Sequence, residues 1–187
     1  MQDRKRGGGQ PFTAASLEKA ALAYLERFAS SAENLRRVLR RRLRRAAPEG
    51  ADGESGEALI EAVVGRLRRA GLLDDARYAE AKAASLNRRG VSRRSIAGRL
   101  AQQGVAGELV AAALAEVSAA TGDADLAAAC ALARRRRLGP YRPAAARADH
   151  RTKDLAAFAR AGFDLGIARR ILACADEDEL LALTREE

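Results

Sequence analysis

Gly71-Leu72-Leu73-Asp74-Asp75-Ala76-Arg77-Tyr78-Ala79 joins two amphipathic segments and sets how the chain turns between them. Leu59, Ile60, Val63, Val64 and Leu67 form an apolar stripe of helical period just before it. Gly71 ends that stripe, as glycine commonly does at a helix C-terminus. Asp74 stands where the next helix needs an N-cap, because its carboxylate can accept the N–H groups of the first turn. With Asp74 as N-cap, Leu73 is N′ and Tyr78 is N4, the spacing of a hydrophobic staple. The stretch therefore predicts a helix that stops, turns sharply and restarts at an angle held by the cap. Asp74 and Asp75 look like a catalytic carboxylate pair only superficially. No metal ligand or base accompanies them, and capping accounts for them.

The same punctuation extends in both directions. Upstream, Leu17, Ala21, Tyr24, Leu25 and Phe28 predict a first helix over about 16–29. Ser30 and Glu33 have capping-box spacing. A second helix follows, with Leu35, Val38, Leu39 and Leu43 inward and Arg36, Arg37, Arg40, Arg41 and Arg44 on its other faces. Pro48 and three glycines make 47–56 a loop. Downstream, the fourth helix stops at Gly90, and Ser92 caps a fifth that buries Ile96 and Leu100 and ends at Gly104. Leu109, Val110, Ala113, Leu114 and Val117 define a sixth, and a seventh covers about 124–137. Gly139, Pro140 and Pro143 open an irregular stretch to about Asp149, which holds His150 at its edge. An eighth helix with Leu155 and Phe158 stops at Gly162, a ninth buries Ile167, Ala168, Ile171 and Leu172, and a short acidic helix surrounds Leu180, Leu181 and Leu183.

These segments repeat. Ser31 precedes Leu35 and Leu39 by the same offsets at which Ser92 precedes Ile96 and Leu100. Gly104-Val105 leads into Leu109, Val110 and Leu114, and Gly162-Phe163 leads at equal offsets into Ile167, Ala168 and Leu172. Three units of three helices fit this pattern. The expected organisation is a flexible basic tail over 1–15, repeats over 16–73, 74–121 and 122–175, loops near 47–56 and 138–150, and an acidic tail over 176–187. A single three-helix unit has a thin core, so the fold expected is an all-α, elongated and curved array in which each repeat packs on the next.

Composition agrees with helices. The 187 residues include 45 Ala and 23 Leu against 15 Val, Ile and Thr together, and there is no Trp. Helices favour the first group and strands the second. At 48% hydrophobic the chain has enough apolar residues for a core, and no stretch approaches the roughly 18 apolar residues of a membrane span. Met1-Gln2-Asp3-Arg4-Lys5-Arg6 and the glycines after it carry no apolar segment, so they do not read as a signal peptide. Cys130 and Cys174 are far apart on helical segments, which suits reduced thiols and a cytoplasmic chain. With His150 the only histidine, no tetrahedral zinc site is expected. Glycine-rich phosphate loops and dinucleotide fingerprints are absent as well, so neither a cofactor nor an enzyme is expected.

The net charge is +9, with 30 Arg among the 34 basic residues. Residues 121–172 carry +6 and residues 173–187 carry −5. The densest basic block runs from Arg27 to Arg45, with eight Arg and one acid, Glu33. A basic body of this kind points to a polyanionic partner. The aromatic residues mostly fall on apolar stripes, so reading of base sequence is not expected.

Gly71 to Ala79 resembles the Gly-Leu-Leu-Asp-Asp-x-Arg-Phe/Tyr-Ala signature of the RecX family, modulators of the bacterial RecA recombinase. Arg89-Gly90-Val91-Ser92 resembles that family's Arg-Gly segment before its middle helix. Gly104-Val105 and Gly162-Phe163 are similar to its Gly-apolar steps, and Tyr24-Leu25 with Ser31-x-x-Asn34-Leu35-Arg36 resemble its first repeat. The resemblance covers about 17–172. The chain departs from the pattern in lacking the first repeat's Gly-Phe step and in its Pro140–Pro143 loop. What the resemblance implies is a non-enzymatic monomer that binds the RecA filament on single-stranded DNA without sequence preference. Filament growth, ATP hydrolysis, strand exchange and the repressor autocleavage of the SOS response would fall, and DNA repair would thereby be regulated.

Two groups of arginines are the candidate contacts with filament or DNA. One is Arg36, Arg37, Arg40, Arg41 and Arg44 on the second helix. The other is Arg88, Arg89, Arg93 and Arg94 around Gly90, where the N-terminus of the next helix would add N–H donors for a phosphate. Leu73, Asp74, Asp75 and Tyr78 are assigned a structural role. An alternative of a different class remains open: a helix-turn-helix regulator reading duplex DNA, for which short helices joined at Gly90 and Gly104 are also suited.

Overall fold

The computed structural model of the chain describes residues 13–46 and 54–184. Most of the expected basic tail, the loop over 47–53 and the last three residues of the acidic tail lie outside the described residues. Among those described there are ten α-helices and no strand. They are α1 (Ala14–Leu25), α2 (Ala32–Ala46), α3 (Glu54–Arg69), α4 (Asp75–Arg88), α5 (Arg93–Gln102), α6 (Gly107–Thr121), α7 (Ala124–Arg136), α8 (Ala144–Arg160), α9 (Leu165–Ala173) and α10 (Glu177–Leu183). No described helix is long and apolar enough to cross a membrane. The chain divides into two compact units, 1–78 and 79–187, with the division inside α4.

In the first unit α1, α2 and α3 pack on one another. Leu17, Ala21, Leu35, Leu39, Ile60, Val63 and Val64 are fully buried between them, and each large apolar side chain so buried contributes about 1.5–3 kcal/mol. Helix α1 starts two residues before the expected Ser16, because Thr13 caps it. The Thr13 Oγ1 accepts the Ser16 N–H at 3.2 Å, and the Ser16 Oγ accepts the Thr13 N–H at 3.1 Å. The helix also ends early, at Leu25, so Phe28 is not on its stripe and stands 51% exposed. The cap of α2 is Ser31, whose Oγ accepts the Asn34 N–H at 3.1 Å. The expected pairing of Ser30 with Glu33 does not form: Ser30 bonds Ser31 and Asn34, and Glu33 turns to arginines. Gly56 lies inside α3 and not in a loop. A Cβ there would come within 2.5 Å of Leu43 Cδ2, so the bare backbone lets α3 close on α2.

In the second unit α5 packs on α6, α6 on α7, and both α7 and α8 on α9. Leu126, Leu132, Phe158, Phe163 and Ile171 form its largest apolar cluster, with Phe158 and Phe163 edge to face at 6.1 Å. Helices α5 and α8 end alike. The Val105 N–H reaches the Leu100 carbonyl at 3.1 Å, and the Phe163 N–H reaches the Phe158 carbonyl at 3.1 Å. Both are the long bond of a Schellman motif, with the apolar residue after Gly104 or Gly162 turned into the core. Gly90 ends α4 in the same way and meets a further demand: at φ +75° a Cβ would stand 2.7 Å from the backbone nitrogen of Leu132. Only glycine tolerates both that conformation and that closeness to α7.

The stretch expected to be irregular up to Asp149 is shorter. A single 3-10 turn, Gly139–Tyr141, is followed by α8 from Ala144, so His150 lies on a helix. Buried Asp154 holds the turn by accepting the Gly139 N–H at 3.1 Å and pairing with Arg142 at 2.9 Å. Arg147 bonds the carbonyls of Arg142, Pro140 and Ala175. Cys174 is buried and Cys130 half-buried, and desolvation pushes the Cys130 thiol up to about 11, so both are packing residues.

Candidate nucleic-acid interface

The arginines of α2 fall into two sets. Glu57 and Glu61 are one helical turn apart on α3 and face α2. The Arg36 Nε and Nη2 donate to the two oxygens of Glu61 at 2.6 and 3.0 Å. Arg40 binds Glu57 through its Nε at 3.0 and 3.1 Å and through its Nη2, and it meets Glu33 at 3.2 Å. These bonds raise the pKa of both guanidinium groups. The hydrogen bond from Arg40 likewise lowers the Glu57 carboxyl. Arg36 and Arg40 thus tie α2 to α3. Arg37 pairs with Glu33 at 3.4 Å along its own helix and remains half exposed. Arg41, Arg42, Arg44 and Arg45 are exposed and make no ion pair among the described residues.

Beside this open face a groove of about 490 Å³ runs between α1 and α2. It is lined by Ala20, Ala23, Tyr24, Phe28, Val38 and Leu39 and by the guanidinium-bearing side chains of Arg27, Arg41, Arg42 and Arg45. Tyr24 is held by the Asn34 Nδ2, which donates to its hydroxyl at 3.0 Å. The Tyr24 and Phe28 rings are 5.2 Å apart, and the Arg27 guanidinium carbon lies 5.7 Å from the Phe28 centroid. Arg27, Arg42, Arg45 and the accessible Phe28 were not singled out by the sequence. Their signal was the arginine density of that block, read without the early end of α1.

The arginines around Gly90 sit differently. Arg88, Arg89, Arg93 and Arg94 are all exposed. The start of α5, expected to offer N–H donors to a phosphate, is capped from within the chain. Asp125 accepts the Arg93 N–H at 2.8 Å and Ser92 Oγ accepts the Ser95 N–H at 3.3 Å. The Arg89 carbonyl accepts from Arg135. This end of α5 therefore already carries a carboxylate.

The Asp74 carboxylate accepts the N–H groups of Ala76 and Arg77 at 2.9 and 3.0 Å, the cap its position predicts. Its neighbour does something else: the Asp75 Oδ1 accepts the Ala32 N–H at 2.7 Å and so caps α2. Leu73 is buried, Tyr78 is half-buried, and burial raises the Tyr78 phenol above its usual pKa. None of these four side chains lines the groove.

Comparison with known proteins places this geometry in a family. Residues 74–114, which hold α4, α5 and the first half of α6, match the family model described as RecX, second three-helix domain. A regulatory protein RecX of Myxococcus xanthus is 46% identical over 159 residues, covering 83% of each chain. A regulatory protein RecX of Agrobacterium fabrum is 40% identical over 106 residues, covering 57% of this chain and 54% of its own. No solved structure matches. The match thus begins at the Asp74 cap and the identity extends across both units, which is why the chain belongs to the RecX family of regulatory proteins.

Proposed function

We propose that this chain regulates the RecA recombinase, without chemistry of its own, by seating on the recombinase filament on single-stranded DNA. Filament growth, ATP hydrolysis and strand exchange fall as a consequence. The observation that carries the reading is the identity to regulatory RecX proteins across most of the chain. The solvent-exposed arginines of α2 support it, since Arg gives paired phosphate contacts that suit a polyanionic filament. Of the candidates, Arg37, Arg41 and Arg44 are offered as contacts to filament or DNA, with Arg88, Arg89, Arg93 and Arg94 as a second set. Arg36 and Arg40 would contribute by holding the face in place.

The proposal includes three tandem three-helix repeats, α1–α3, α4–α6 and α7–α9. A recurring joint supports this arrangement. Asp75 at the start of α4 caps α2, and Asp125 in the first turn of α7 caps α5. In each case the start of one repeat closes the middle helix of the one before, as nearest-neighbour coupling in a repeat protein requires.

Co-pelleting tests the reading. The chain should sediment with filaments of recombinase on single-stranded DNA and remain in the supernatant with recombinase alone. Failure to sediment with filaments would contradict it, as would preferential binding to one duplex sequence without recombinase.

A further inference from the structure

We propose that the groove between α1 and α2 is a binding site for unpaired nucleotides of single-stranded DNA. A base seats against the Tyr24–Phe28 pair, and the adjoining phosphates are held by Arg27, Arg41, Arg42 and Arg45. The inference deepens the regulatory reading by naming where this chain itself would meet the strand, and it rests on that reading for the identity of the strand as DNA.

Three features of the groove select this ligand. Among the described residues the lining is apolar and aromatic apart from four guanidinium groups, and it includes no carboxylate. An apolar ligand would have no use for the guanidinium groups, and a purely acidic peptide would leave the accessible ring uncovered. A strand with unpaired bases uses both, because every base has a π-face and every linkage a charge. Phe28 is 51% exposed just beyond the end of α1, where an aromatic ring in water is costly unless something covers it. Its position is also ordered: Phe28 packs on Tyr24, which Asn34 fixes, and Arg27 stands over the ring. A base arriving there takes the place of the exposed Arg27 side chain over the ring, on an ordered aromatic platform with the displaced cation beside it. A duplex has no free base face to offer, so the site should discriminate against it.

The test measures anisotropy of three fluorescein-labelled probes: an oligothymidylate, an abasic strand of equal length and the matching duplex. The parent chain should bind oligothymidylate about 5- to 150-fold more tightly than the abasic strand, the range for loss of one stacked base. Phe28→Ala should lose that preference, Phe28→Tyr should keep it, and both should retain the parent's helix content because the side chain is half exposed. Arg41→Ala with Arg45→Ala should keep the preference but flatten the salt dependence by about 0.7 in log–log slope per lost phosphate. Equal binding of the two single strands by the parent, or a preference that survives Phe28→Ala, would overturn the assignment. Recombinase ATPase, measured alongside, separates the two claims. A parent that lowers ATPase but ignores base removal refutes the groove alone. A Phe28-dependent preference in a parent without effect on ATPase supports the groove and refutes the regulatory reading.

Discussion

The Asp75 carboxylate and the Ala32 N–H meet at 2.7 Å across 43 residues of sequence. The bond closes the first turn of α2 with a side chain from the start of α4, next to Asp74, which caps α4 itself. Two adjacent aspartates thus serve two different helices. Asp125 and Arg93 repeat the arrangement at 2.8 Å.

Asp75→Ala should therefore destabilise the chain by about 1–2 kcal/mol, the loss expected when a charge-assisted bond to a half-buried N–H is removed. Asp75→Asn, which keeps an acceptor oxygen, should lose less. Asp74→Ala should cost about 0.5–2 kcal/mol through loss of its own cap. Urea denaturation checks all three, and an Asp75→Ala midpoint equal to the parent's would show that the joint carries no stability.

The two arginine sets of α2 should separate experimentally. Arg36→Ala and Arg40→Ala remove bonds to Glu61 and Glu57 and should each cost about 0.5–1 kcal/mol, near the upper end for exposed ion pairs. Arg41→Ala and Arg44→Ala, exposed and without an ion pair among the described residues, should change stability by less than about 0.5 kcal/mol. In strand binding the order should reverse, with the second pair losing more affinity at low salt. Thermal melting and anisotropy on the same variants provide the comparison.

Stability should also fall in acid partly through Glu57. Arg40 lowers the folded-state pKa of this carboxyl, so the ionised group stabilises the fold. That contribution is complete above the unfolded value of about 4.3 and is lost as pH falls through the depressed folded value. Glu57→Gln cannot ionise. Its melting temperature should fall less than the parent's between neutral pH and pH about 3. Parallel curves would show that the Arg40 bond does not favour the charged form.

Gly90 and Gly98 should respond in opposite directions to alanine. At Gly90 the positive φ and the 2.7 Å approach to Leu132 nitrogen make Gly90→Ala costly, about 3 kcal/mol or more. Gly98 lies within α5 with nothing inside 4 Å of an added Cβ, so Gly98→Ala should gain about 0.5–1 kcal/mol. Chemical denaturation of the two variants checks the contrast.

Much of this was legible in the residues themselves. Asp74, Gly104 and Gly162, and Ser92 in its role as the cap of α5, act locally through bonds within a few residues, and a local signal survives in sequence. What escaped depends on packing. Helical period continues from Leu25 to Phe28 on paper, but the helix stops between them, and that stop turns a core candidate into the exposed wall of a groove. The arginines of α2 look alike in sequence. Only the rotation of α3, which aims Glu57 and Glu61 at Arg36 and Arg40, distinguishes those that bind the fold from those left open. Asp75 could be assigned to a cap, but its reach to Ala32 is a property of the folded unit.

The steady-state ATPase of RecA on single-stranded DNA, titrated with this chain, should fall with dose. The fall should be weaker at high salt and weaker for the Arg41→Ala, Arg44→Ala double variant at equal helix content. Hydrolysis that stays constant or rises across the titration, with the chain folded, would contradict inhibition of RecA by this chain.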